Sequence, residues 1–334
     1  MSHELELVDG RALVLTREPA WHRLGRVTGA DFGEAEISQY APEILSPVKK
    51  VKPFIFVDDN NGWSRTAVEL PRTSCVVRTL DSKIVGEGVG DDSYGLVQPQ
   101  DAFEFGQELG EWGDYPLVSA GLIREGRQFF FTYSTGDAGF DGLEVQTHQT
   151  VVSSHDGSIP MMGLRSATIV VCANTLAMAL NRGVDRITFR HTSLVEDRMA
   201  DFIEARKGIE AHQGQVRDQI VALATLKVRA FEPLLDGILP SFDTSQGSKR
   251  VIANRAAARE AVRTLYKAPV VQDLGGTGLG FVQAVNTYEN WIAPMRGRKG
   301  VAKDTLRAER QFDAMVKGFQ PLTDKAVEVV LASA

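Results

Sequence analysis

Apolar and polar residues alternate in short runs through the first half of the chain and recur at helical spacing beyond residue 194. The pattern predicts strands first and helices after. Val51–Val57, Thr73–Leu80 and Lys83–Gly88 are β-rich runs bounded by turn residues. Asp58-Asp59-Asn60-Asn61-Gly62 marks a turn, and Asp81-Ser82 separates its neighbours closely enough for a hairpin. Ala102–Gly110 predicts a helix with Asp101 as N-cap and Gly110 as stop. Tyr115–Ile123, Gln128–Tyr133 and Leu143–Ser153 follow as strands, the first two joined at Arg124-Glu125-Gly126. Ser166–Cys172 reads as a further strand, Asn174–Leu180 as a helix and Asp185–His191 as a last strand.

From Leu194 to Phe231 apolar residues recur at helical intervals, predicting one long helix or two, ending near Glu232-Pro233. Residues 236–247 read as a linker. Helices are expected at Lys249–Lys267, Phe281–Ile292, Ala302–Gly318 and Thr323–Ala332. Strands gathered before helices argue for an α+β fold: an antiparallel, β-rich N-terminal half packed with helices, then a mainly helical C-terminal half. The expected division is an α+β core over residues 1–192 and a helical region over 193–334.

Charge changes this picture by splitting the chain. Residues 1–160 hold 13 Lys/Arg and 25 Asp/Glu, a net charge of −12, whereas the remainder carries +6. The whole-chain charge of −6 hides that asymmetry, which directs attention to anionic partners of the second half. Cys75 and Cys172 are too few for a disulfide framework, and a reducing cytoplasm is expected. The acidic start lacks a secretory h-region, and no apolar run approaches about 18 residues, so no membrane span is expected.

Polar and ionisable residues crowd the ends of apolar runs between 153 and 192, where binding groups tend to sit. His155, Asp156, Arg165, Cys172, Asn174, Arg190 and His191 form the candidate polar site. A His-Asp pair beside Gly157 suits a metal or phosphate, or is simply a turn between strands. Cys172 as a nucleophile needs a base such as His155 or His191, while a buried structural cysteine needs none. Asn174 is also a natural N-cap. The 6 histidines include no pair at i, i+4, so no metal and no cofactor is expected. Gly275-Gly276-Thr277-Gly278-Leu279-Gly280 lacks the Walker ending and the dinucleotide spacing, and reads as a connector with a helix cap.

The strongest signal for a partner is basic. Arg255, Arg259, Arg263 and Lys267 fall every four residues and share one helix face. Arg296, Arg298 and Lys299 open a second basic stretch. Residues 246–310 hold 12 Lys/Arg against 5 Asp/Glu. Such a stripe can track a phosphate backbone without reading sequence, or it is a solvated face, or one docked on the acidic N-terminal half. Phe129, Phe131 and Tyr133 share one face of one strand and either stack bases or pack a core.

Several segments together resemble a family of phage- and plasmid-borne proteins, domain-of-unknown-function family 932. They are Pro19-Ala20-Trp21-His22-Arg23-Leu24-Gly25, Tyr94-Gly95-Leu96-Val97-Gln98-Pro99, Ser154-His155-Asp156-Gly157-Ser158, Arg165 with Val171-Cys172-Ala173-Asn174-Thr175-Leu176, Arg190-His191-Thr192 and Asn286-Thr287-Tyr288. The resemblance implies a mobile-element protein working in a bacterial cell and brings no activity with it. Such proteins look like distant relatives of single-strand annealing proteins of the Rad52 type, with a β-rich core, a ring assembly and a basic groove for single-stranded DNA. The acidic N-terminal half departs from that pattern and restricts any DNA path to a basic strip.

The leading expectation is therefore a cytoplasmic, homo-oligomeric phage-type protein that binds and anneals single-stranded DNA in recombination or replication, without a membrane partner. Its phosphate contacts would be Arg255, Arg259, Arg263, Lys267, Arg296, Arg298 and Lys299. No motif fixes a reaction, and the reading leans away from catalysis. The competing expectations are an enzyme built on His155, Asp156, Cys172 and His191, and an oligomeric interaction factor acting in host takeover or anti-defence.

Overall fold

The computed structural model describes residues 7–8, 11–17, 26–29, 32–58, 65–108, 115–140, 143–169, 186–192, 195, 197, 220–240, 249–267, 274–295, 297, 306 and 320–333. The architecture is α+β, with antiparallel-rich sheets in the first half and mostly helices in the second. Strands β1 (Leu7–Val8) and β2 (Arg11–Ala12) form a short pair. The main sheet has seven strands: β3 (Val14–Thr16), β4 (Arg26–Val27), β10 (Leu117–Ile123), β11 (Gln128–Phe140), β12 (Leu143–Ser154), β13 (Met161–Ile169) and β14 (Arg186–Phe189). Their spatial order is β14-β13-β12-β11-β10-β3-β4, antiparallel except for the β3–β4 pair. A three-stranded sheet joins β5 (Val48–Val51), β8 (Thr73–Arg78) and β9 (Ile84–Gly90) in the order β5-β8-β9. Between β5 and β8 the chain makes a separate hairpin of β6 (Phe54–Asp58) and β7 (Arg65–Glu69).

Period-two patterning explains the main sheet. Phe129, Phe131 and Tyr133 of β11 point to one face and are fully buried there. They pack with Phe103 and Phe105 of helix α2 (Pro99–Glu108), and the Tyr133 hydroxyl donates to Phe103 O at 2.7 Å. Each such side chain contributes roughly 1.5–3 kcal/mol by leaving water. The core reading of these aromatics is the one realised. Helix α1 (Glu34–Tyr40) adds Ile37 to the same cluster.

A second apolar cluster lies in the C-terminal half. It joins Ile220 and Leu223, helix α3 (Phe231–Ile238), helix α4 (Lys249–Lys267), helix α5 (Gly278–Thr287) and helix α6 (Pro321–Ala332). Thr277 caps α5 by accepting from Gly280 N–H at 3.0 Å, so the glycine-rich segment is a capped helix start. α5 runs into a π-helical turn, Tyr288–Ile292. There the buried Glu289 accepts from Leu322 N–H, Thr323 N–H and the Thr323 hydroxyl at 2.8–3.2 Å, capping α6. Asn286 donates to Gln320 at 2.9 Å, and Asn290 donates to Asn286 at 3.1 Å.

Several sequence-based boundaries move. Val51–Val57 is not one strand: Pro53, without an N–H, splits it into β5 and β6, which lie in different sheets. α2 begins at Pro99, a residue suited to the first turn, and Ala102 N–H bonds to Gln98 O, so Asp101 lies inside the helix. The strand expected at Ser166–Cys172 starts earlier, at Met161, and is described as far as Ile169; residues 170–172 lie outside the described residues. The expected end near Glu232-Pro233 is the start of α3, because Pro233 sits in its first turn, while residues 220–225 are helical. Asn174–Leu180, most of 194–219 and nearly all of Ala302–Gly318 lie outside the described residues.

Candidate functional site

The first candidate is the turn after β12. Ser154 Oγ donates to Ile159 O at 2.7 Å and accepts from Ile159 N–H at 3.1 Å. Asp156 Oδ1 accepts from Ser158 N–H at 2.9 Å, as in an Asx turn. Gly157 takes φ +71° with the Tyr94 ring close to its α-carbon, which favours glycine on both counts.

His191 reaches this turn from the end of β14. Its Nε2 lies 3.2 Å from Ile159 O and 3.4 Å from Ser153 Oγ, and its Nδ1 lies 3.3 Å from Gly95 O. Burial lowers its pKa, while the two carbonyls and Asp156 favour the charged ring and oppose the shift. His155 is 3% exposed and tilts over Phe129 with centroids 4.9 Å apart. Burial, reinforced by His191 and the buried Arg78, pushes its pKa down to about 3, so the ring is neutral. Its Nδ1 has no hydrogen-bond partner. On the far side, β9 touches the turn where Gly86 meets the His155 carbonyl.

This geometry brings His155, Asp156 and His191 together around one turn. Arg190 is exposed, with its carbonyl accepting from Thr192 N–H at 2.7 Å. Arg165 stands on β13 opposite Gln149, its side chain outside the description, and Cys172 and Asn174 lie outside the described residues. Tyr94, Ser153, Arg78 and Gly86 belong to the same node. Tyr94 was marked only by its place in a segment that resembles the family, and nothing local marks Arg78 as buried. Chemically the node is a clamp: His155, neutral and packed on Phe129, and His191, stacked on Tyr94, hold one turn between two sheets. No group of three or more potential metal ligands occurs among the described residues.

The second candidate is the arginine face of α4. Arg255, Arg259 and Arg263 line a groove of about 560 Å³ together with Ile252, Ala256, Ala257 and Glu260. Arg259 donates to Asp236 Oδ1 at 2.7 Å, Glu232 Oε2 at 2.9 Å and Leu239 O at 2.5 Å. Arg263 grips both oxygens of Glu232 at 2.8 and 3.1 Å and reaches Glu260 at 2.5 Å. The Arg263 guanidinium, aided by Arg259, holds the Glu232 carboxyl below the usual carboxylate range. Two arginines of the stripe are thus docked on the carboxylates of α3, 27 and 31 residues away in sequence. Lys267 is exposed, and Arg296, Arg298 and Lys299 lie outside the described residues.

No described helix is long and apolar enough to cross a membrane. A family model described as Domain of unknown function (DUF932) matches residues 88–312, a span that takes in Tyr94, His155, His191 and α4 but not Arg78 or Gly86. No curated protein and no solved structure matches the chain.

Proposed function

The chain belongs to the DUF932 family, and from that premise we propose a cytoplasmic, mobile-element-type protein that holds single-stranded DNA along α4 and aids recombination or replication as a homo-oligomer. The observation that carries this reading is the row of Arg255, Arg259 and Arg263 along one groove. Four residues of helix advance about 6 Å, so the guanidinium groups form an evenly spaced comb. Guanidinium groups take phosphate oxygens in pairs, which suits a backbone read for its charge.

Glu232 and Asp236 stand where phosphates would bind. Both carboxylates are about half exposed, at 51% and 48%, and the arginines that hold them are 13% and 26% exposed; a single exposed pair is worth about 1 kcal/mol or less, and a linked, bidentate set such as this one more. A polyanion presenting several phosphates at once displaces them, releasing counterions as it does so.

The test is fluorescence anisotropy of a labelled single-stranded oligonucleotide across several salt concentrations. Arg255→Glu/Lys267→Glu leaves the Glu232 contacts in place. Binding with a steep negative salt slope is expected, and that variant flattens the slope by roughly 1.4, about 0.7 for each of two phosphates. No binding at low salt overturns the reading.

A further inference from the structure

Arg259 and Arg263 hold partners of different kinds. Among the described residues, Arg263 bonds to carboxylates alone: Nε and Nη2 donate to the two oxygens of Glu232, and Nη1 donates to Glu260. Those two carboxylates are 51% and 66% exposed. Arg259 also bonds to carboxylates, but its Nη1 donates in addition to the main-chain oxygen of Leu239. Leu239 is buried and closes α3. Carbonyls at a helix end lack an intrahelical partner, and the partial negative charge there favours a cation. Arg259 supplies both, and it is the more buried of the two arginines.

What a phosphate can replace differs accordingly. On a guanidinium, a phosphate oxygen substitutes for a carboxylate oxygen like for like, with the same charge-assisted geometry. It can take Arg263 from Glu232 and Glu260, and the released carboxylates already face water. For Arg259 to turn out to a strand it must leave Leu239 O, a buried acceptor that would lose its donor.

We propose that the arginines of α4 divide the work: Arg263 trades its carboxylates for phosphate, while Arg259 stays on α3 as a positioning residue that keeps Glu232 and Asp236. The proposal rests on the reading of α4 as a strand-holding helix and goes beyond it by assigning the roles. Glu232 Oε2 is the shared atom, 2.9 Å from Arg259 and 3.1 Å from Arg263. When a phosphate takes Arg263, that oxygen keeps its bond to Arg259, so the exchange leaves Glu232 paired. The two retained carboxylates neutralise Arg259 and turn phosphate away from it. Arg255 and Arg263 are then the gripping points, about 12 Å apart along the axis. Leu234, Leu235 and Ile238 anchor α3 in the core, so pinning its end to α4 fixes the helix pair on which the exchange takes place.

Salt-dependent anisotropy of a labelled single-stranded oligonucleotide separates the roles in the full chain. Arg263→Gln should flatten the log–log slope by about 0.7, the share of one phosphate on a single strand. Arg259→Gln should leave the slope unchanged and weaken affinity several-fold in the folded protein, because Glu232 then falls to Arg263 alone. A purely structural residue would lower the melting temperature and leave that affinity as it was. A second measurement needs no variant. Arginines of the wild type are labelled with phenylglyoxal and read by mass spectrometry, with and without the oligonucleotide. The strand should shield Arg263 and leave the slow labelling of Arg259 as it is.

A slope loss in Arg259→Gln equal to that in Arg263→Gln, an affinity unmoved by Arg259→Gln, or new shielding of Arg259 by the strand overturns the division of roles and leaves strand holding intact. No binding by the wild type at low salt overturns the functional reading and the division with it.

Discussion

Tyr94 lies flat on His191, with ring centroids 4.9 Å apart and planes 21° from parallel. Tyr94 follows β9 and packs on the core of the three-stranded sheet, whereas His191 follows β14 of the seven-stranded one. The stack therefore bolts one sheet to the other, and the Tyr94 hydroxyl adds a bond to Ser154 O at 3.0 Å. Tyr94→Phe should lose about 1 kcal/mol of stability, and Tyr94→Ala about 3–5 kcal/mol. Urea denaturation separates them: equal losses would show that the ring contributes nothing beyond its hydroxyl.

The buried His155 sets a pH dependence with a definite sign. Its folded pKa of about 3 lies below the usual 6.5, so above pH 6.5 the ring is neutral in both states and costs nothing. Below that, the unfolded chain takes up a proton that the folded chain refuses. Stability falls as pH drops through the window from 6.5 to about 3, reaching a loss of about 2 kcal/mol at pH 5. His191, lowered in the same direction, adds to the loss. Melting wild type and His155→Leu at pH 7 and pH 5 tests this: the variant should lose less between the two, and identical losses would exclude the mechanism.

Gly86 and Gly106 answer to space alone. A Cβ at 86 would strike the His155 carbonyl, and one at 106 would strike the Tyr133 ring. Neither neighbour has room to yield, since one is backbone and the other a fully buried ring. Alanine at either position should cost about 1–3 kcal/mol as overpacking. Thermal melts of Gly86→Ala and Gly106→Ala against Gly88→Ser, whose Cβ meets open space but whose φ is +70°, would separate crowding from backbone strain.

Glu289 holds three donors at the start of α6. Glu289→Ala leaves those buried groups unpaired and should cost about 3 kcal/mol, while Glu289→Gln keeps an acceptor and should cost less. Hydrogen exchange at Leu322 and Thr323 should speed up selectively in the alanine variant. Uniform speeding over the whole helical half would contradict a local cap.

Removing the carboxylates that occupy the arginine comb should have opposite effects on folding and on binding. Glu232→Ala/Asp236→Ala is expected to destabilise the chain by more than the ~1 kcal/mol of a single exposed pair and to tighten oligonucleotide binding several-fold. Weaker binding in the double variant would mean that the carboxylates position the arginines and do not compete with phosphate.

The sequence disclosed the order of elements because alternation in β8 to β12 and helical spacing in α4 to α6 are local properties. Their positions at the ends of strands grouped His155, Asp156 and His191 as candidates, but that they meet at one turn was not legible, because it depends on how β12 and β14 pair through β13. The partners of Arg259 and Arg263 were not legible, since helical spacing aligns four basic residues without saying that α3 folds onto them. Pro53 was the missed clue for the β6–β7 hairpin: a proline within a β-rich run divides it. Asn286, Glu289 and Asn290 were not singled out, because only packing against α6 gives these buried polar groups their partners.

The β6–β7 hairpin, an arm that forms a sheet of its own, has one more property at its base. Pro53 O and Leu70 N are already within hydrogen-bonding distance, 3.0 Å apart, so everything from Phe54 to Glu69 hangs from a closed ring. The sheet below would lose no strand if that segment were cut to a short turn, and would gain none if it were lengthened. The reach of the arm is thus a free parameter of the molecule: its length can be trimmed or grown without renegotiating the fold that carries it.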